Sequence, residues 1–231
     1  MRGCFGSFIL AEKHTVMNFD PENKVVQLCA KGMQAEAEGN IAEATDCFKK
    51  AWEAATNDFE RFTAAHYRAR NQPDPQVTLQ WNLAALKYAD AIKSDELKTH
   101  YPSLYLNIGK SYETLNDLPS AAKYYQLASE SAVHLPDNGY GKMLKAGINE
   151  GLKRAGLKGY YNTTIDDLIN NWCDRKDLRP LSLVLPTYLQ NLGTGEDINK
   201  LITALSFLSA TRCLNAEEQG KIEEVIAELA R

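Results

Sequence analysis

Residues 28–51 read LCAKGMQAEAEGNIAEATDCFKKA, and residues 105–128 read YLNIGKSYETLNDLPSAAKYYQLA. Laid over one another, the two stretches share a pattern. Gly32, Ala44, Phe48 and Ala51 are separated by 12, 4 and 3 positions, and Gly109, Ala121, Tyr125 and Ala128 by the same intervals. Leu28 and Tyr105 each stand four residues before the glycine. Gly39-Asn40 punctuates the first stretch and Asn116-Asp117 the second, in each case a helix-stopping residue followed by a helix-capping one. Small residues let two antiparallel helices approach closely, and an aromatic then fills the groove between neighbouring pairs. One helical hairpin is therefore used at least twice.

The same punctuation extends outward. Asp20-Pro21 predicts a capped helix running to Glu38, and Asn40 caps a second from Ile41 to Ala55. A third is expected from Asn57 or Asp58 to Asn71, and a fourth from Asp74-Pro75 to Lys93. A fifth follows from Pro102 to Leu115, and a sixth from Asp117 to Val133. After a loop at 135–139, a seventh covers Tyr140 to Ala155. Its stripe of Tyr140, Leu144, Ile148 and Leu152 suits a helix that seals the last hairpin. No stretch alternates with the period of a strand, so the predicted fold is all-α.

The middle hairpin departs from its neighbours. Counted in steps of 34 from Val25, it starts at Phe59, and the alanine and aromatic positions hold Thr78 and Asn82. From Phe59 to Pro102 is 43 residues, nine more than one repeat.

The 34-residue hairpin with these small and aromatic positions resembles the tetratricopeptide repeat. The phrases AAHYRARNQPDPQVTLQWNLAAL (64–86) and YPSLYLNIGKSYETLNDLPSAAKYY (101–125) are similar to small bacterial tetratricopeptide proteins of undefined function, over about residues 22–157. The resemblance implies three hairpins and a capping helix, a bacterial cytoplasmic protein, and no particular reaction. It also implies that the first helix of each hairpin builds the inner, partner-binding face. That face would carry Cys29, Met33 and Glu36, then Thr63, Tyr67, Arg70 and Asn71, then Leu106, Lys110, Glu113 and Thr114. An arginine fork beside a lysine can hold a carboxylate, such as a peptide C-terminus. The competing reading is an internally paired face, with Arg70 bound to Glu36 or Glu113.

Three further residues support this candidate site. His66 falls at the place of Gly32 and Gly109, where packing is the simplest role. Asn82 stands where an aromatic is expected, and as a buried amide it needs partners, with His66 and Arg68 the nearest candidates. A protein or peptide adaptor is the leading functional reading. A small-ligand or enzymatic pocket around His66, Tyr67 and Arg70 is the second, and a structural or oligomeric role the third.

The remaining signals narrow the class. Residues 160–231 hold 11 acidic and 7 basic side chains, which accounts for the whole net charge of -4. The first part is neutral, so a boundary is expected near Gly159, and a general nucleic-acid binder is disfavoured. The tail shows apolar stripes at Ile165/Leu168/Ile169/Trp172, Leu201/Ile202/Leu205/Leu208 and Ile222/Val225/Ile226/Leu229. A capping box at Asn215 and Glu218 opens the last. Between the first two, Pro186 predicts a bent or broken helix. Asp166-Asp167 reads as the acidic first turn of a helix capped near Thr163-Thr164 rather than as a metal cluster. Five cysteines in no paired spacing read as free thiols. No phosphate-binding glycine loop, metal motif or membrane span is present, so no cofactor, metal or membrane is expected. Residues 1–20 read as an N-terminal extension, with Met17 a candidate start.

Overall fold

The computed structural model describes residues 20–157 and 160–230. The predicted extension, apart from Asp20, lies outside the described residues. Among the described residues every regular element is a helix: α1 (Lys24–Ala37), α2 (Ile41–Ala54), α3 (Asp58–Arg68), α4 (Pro75–Ile92), α5 (Tyr101–Thr114), α6 (Leu118–Ser131), α7 (Gly139–Arg154), α8 (Thr163–Asp174), α9 (Leu178–Leu189), α10 (Gly195–Ala210) and α11 (Ala216–Leu229). No helix among them is long and apolar enough to cross a membrane.

Helices α1 to α6 pack as three hairpins, with α7 against the third. The first helix is shorter than the sequence suggests. Asn23, not Asp20-Pro21, is its cap, and its side chain accepts the amides of Val25 and Val26. The hairpin turns at Gly39 and Asn116 both take a left-handed backbone, at φ 82° and 59°. In each, the next amide reaches back to the fifth residue before it, Asn40 N to Ala35 O and Asp117 N to Tyr112 O, closing the helix end. The nine extra residues of the middle unit are absorbed by an 18-residue α4 and a 3-10 turn at Asp95–Thr99.

Glycine and aromatic interlock as the spacing implies. A β-carbon on Gly32 would sit 2.4 Å from the Phe48 ring, and one on Gly109 2.7 Å from the Tyr125 ring. The next element closes over each aromatic: Tyr67 of the second hairpin stacks on Phe48 at 5.7 Å, and Gly151 of α7 lies against Tyr125. Trp52, Trp81 and Tyr88 pack at the edge of the middle core, around Phe62, Ala85, Ala89, Leu97 and Leu104.

Helices α8 to α11 share their own core, centred on Trp172, Leu168, Val184, Tyr188, Leu201, Leu205 and Ile222. Trp172 donates to Glu218, which also binds Arg175 and closes the capping box at Asn215. Two expectations are corrected. Asn162, rather than Thr163 or Thr164, caps α8. Helix α9 continues through Pro186 to Leu189, one turn past the proline, where only a single backbone donor is forfeited.

The tail packs on the array. Lys145 of α7 bridges Asp197 of α10 at 2.9 Å, and both side chains are largely buried. The Asn149 amide donates to Leu189 O, and Leu192 packs on the core of the third hairpin.

Candidate functional site

The first helices carry a column of alternating charge at one register. Glu36, Glu113 and Arg154 stand in the last residues of α1, α5 and α7, and Arg70 in the turn just past α3. The top rung is closed: Arg70 reaches Glu36 through Nη2 at 2.7 Å and Nε at 2.8 Å, and Asn71 Nδ2 donates to the other oxygen at 3.0 Å. The bottom rung is closed the same way. Arg154 Nε and Nη2 reach Glu113 at 2.5 and 3.2 Å, and the Tyr125 hydroxyl donates to the same carboxylate. The guanidinium and hydroxyl beside it hold the Glu113 carboxyl below the usual carboxylate range. Between these rungs, Arg70 and Glu113 make no ion pair with each other.

The open rung follows from helix packing. Helix α1 packs on α3 and α5 on α7, whereas the seam between the second and third hairpins is made chiefly by α4 on α5. At the same seam the middle hairpin carries different residue types. Phe48 and Tyr125 each follow their glycine by 16 residues, and Asn82 follows His66 by the same 16. An apolar glycine–aromatic lock is thus replaced by a polar histidine–asparagine pair.

A cleft of about 370 Å³ lies at this seam. It is lined by His66 and Arg70 of the second hairpin's first helix and turn, Thr78 and Asn82 of α4, and Asn107, Lys110, Ser111 and Thr114 of α5. None of its lining residues is acidic. Asn82 is buried and donates to Ser111 Oγ at 3.0 Å, and Ser111 in turn donates to Asn107 O at 2.8 Å. These bonds fix the cleft floor. Lys110 is exposed, and among the described residues its ammonium has no hydrogen bond or ion pair. His66 is held neutral: burial, with His100 and Arg70 nearby, pushes its pKa down to about 4. Its Nδ1 is buried without a hydrogen-bond partner.

The predicted site residues therefore divide. Met33 is exposed on the first-helix face, and Tyr67 is half-buried beside it, its hydroxyl pKa raised by burial. Lys110 stands free. Glu36, Arg70, Asn71 and Glu113 are on the expected face but spend their charges or amides on one another and on Arg154. Thr63, expected on the face, is buried, as are Cys29 and Leu106. Arg68 turns away, with its guanidinium 5.4 Å from the Trp81 ring centroid, and Asn82 bonds Ser111 and Asn107 rather than Arg68 or His66.

Sequence reasoning missed Arg154. Glu36 and Arg70 are 34 residues apart, but Glu113 and Arg154 are 41 apart, because the loop after α6 shifts the register. Asn107 and Ser111 were missed too, since their role depends on Asn82 lying opposite. A second cavity, of about 430 Å³, lies where the tail meets the array, between α7, α9 and α10. Its lysines are already paired: Lys145 with Asp197, Lys142 with Asp137, and Lys200 with both Asp137 and Glu196. Cys29, Cys47, Cys173 and Cys213 are free thiols. Among the described residues, Asp166 and Asp167 belong to no group of three or more side chains able to hold a metal. No protein-family model matches the chain, and a search of curated proteins finds no match.

Proposed function

We propose that this chain is a non-enzymatic, tetratricopeptide-type adaptor that binds a protein or peptide on the face built by its first helices. The observation that carries the reading is Lys110. On a face whose other charges are neutralised within the chain, its unpaired ammonium stands beside an acid-free cleft. A cation so placed is not needed for packing and suits an anionic group on a partner. Met33 and Tyr67 supply apolar surface on the neighbouring hairpins, the mixture expected of a recognition surface.

The test compares partner capture by the full chain with capture by a variant carrying Met33→Asp, Tyr67→Ala and Lys110→Ala. A control variant carries Lys50→Ala, on the exposed side of α2. The reading expects a specific partner that the face variant loses and the control keeps. Equal capture by both variants, with both folded, removes the first-helix face as the binding surface.

A further inference from the structure

The cavity where the tail meets the array owes nothing to the first-helix face, and its walls suit a guest of their own. We propose that this cavity binds a small uncharged molecule with an apolar body and an amide-like polar end. The inference is independent of partner binding and stands or falls without it.

The space is held open by its walls. Its volume of about 430 Å³ falls within the range of small-molecule sites, about 300–1,000 Å³, and such sites favour the junction of two packed units. One wall is α7 with the loop before it, and the other is the end of α9 with the start of α10. In the first wall a β-carbon on Gly141 would sit 2.0 Å from Pro136 O, so the loop rests directly on the helix, and Asn138 accepts Gly141 N to fix it there. In the second wall Thr194 accepts Asp197 N, and the Asp197 carboxylate accepts Leu192 N. Lys145 joins the walls through Asp197 at 2.9 Å, and Asn149 joins them through Leu189 O at 3.2 Å. The recess is thus preorganised.

The lining selects the guest. Val133, Leu135, Pro136, Pro186 and Leu192 offer apolar surface to its body. The charges offer no vacancy for an ion. Lys142, Lys145 and Lys200 face Asp137, Glu196 and Asp197, and each of the six is in an ion pair. A charged guest would unbalance that set in a space largely shut off from water, whereas a neutral guest leaves it intact. Hydrogen-bonding capacity nevertheless remains. An ammonium has three N–H donors, and Lys145, with its side chain only 18% exposed, spends one on Asp197. Gln190, also on the cavity wall, has a side-chain amide with no hydrogen bond among the described residues. Spare donors at Lys145 suit a carbonyl oxygen, and the Gln190 carbonyl suits an N–H. Together they match the two sides of an amide.

Three probes with the same phenylpropyl body test this on the full chain: phenylbutyramide, phenylbutyrate and phenylbutylamine, which are neutral, anionic and cationic at neutral pH. Binding is followed by saturation-transfer NMR titration. Wild type is expected to bind the amide about tenfold more tightly than either ion, the worth of one hydrogen bond to a charged group. Intermolecular nuclear Overhauser effects from the probe's ring to the methyl groups of Leu135 and Leu192 place it in the cavity without recourse to a variant. Thr187→Trp drives an indole into the space and is expected to abolish binding. The Thr187 hydroxyl bonds only Val184 O of its own helix, so nothing else depends on it. Lys145→Met with Asp197→Asn removes the spare donors without stranding a charge, and is expected to weaken the amide about tenfold. That double variant decides the matter if Thr187→Trp does not fold.

Binding of either ion as tightly as the amide overturns the proposal, as does the absence of binding by all three probes. Overhauser effects confined to other residues overturn it too. So does wild-type affinity for the amide in either variant, when circular dichroism and a cooperative melt show that variant to be folded.

Discussion

Lowering the pH should loosen the array at His66. Burial holds the imidazole neutral, with a pKa near 4 against an ordinary 6.5. The unfolded chain therefore takes up a proton that the folded chain refuses. Stability from this group is complete above pH 6.5 and is lost as the pH falls from there toward 4. The full displacement corresponds to about 3 kcal/mol, of which about 2 kcal/mol is gone by pH 5. Replacing His66 by glutamine keeps a polar side chain and removes the titration. Urea unfolding of both proteins at pH 7.5, 6.5, 5.5 and 5.0 (roughly the span between the two pKa values) gives the comparison. Wild type should lose about 2 kcal/mol more than the variant across that range. Parallel curves for the two proteins would refute the reasoning, since they would mean that His66 takes its proton in the folded state at an ordinary pH.

The interlocked glycines make a second test: Gly32→Ala and Gly109→Ala drive a methyl to within 2.4 and 2.7 Å of an aromatic ring. Each should cost about 1–3 kcal/mol by chemical denaturation, whereas Gly139→Ala, with nothing within 4 Å, should not destabilise. Asp197→Ala strands Lys145 at the junction between the array and the tail, and a thermal melt should show a loss of about 3 kcal/mol. Glu113→Ala removes the acceptor of both Arg154 and Tyr125 and should cost about 1.5–3 kcal/mol. Lys110→Ala, by contrast, should leave stability within about 0.5 kcal/mol, so that any loss of binding reports recognition rather than folding.

Helix positions were legible because their signals are local. Asp74-Pro75, Asp117 and the Asn215/Glu218 box each act within one turn of helix. The glycine–aromatic lock was legible because it repeats at a fixed offset, and that offset exposed His66 and Asn82 as the irregular pair. The face itself was only half readable. Its residues could be counted off from Met33, Tyr67 and Lys110, but whether Arg70 stood free or met Glu36 depends on the distance between hairpins, which no residue in either helix encodes alone. Arg154 was hidden for a related reason: the loop after α6 displaces it from the repeat register. Thr63 looked exposed by offset, yet the neighbouring helices bury it. Helix α9 shows a proline's limit as a signal, since Pro186 sits so close to the end that the helix finishes regardless.

The most direct measurement places a photoreactive benzoylphenylalanine at Thr114, on the rim of the cleft, and at Lys50, on the exposed side of α2. Each protein is illuminated in a lysate of its source cells. The account predicts a discrete adduct from position 114 and none from position 50. Adducts of equal yield from both positions, or no adduct at 114, would contradict recognition through this cleft.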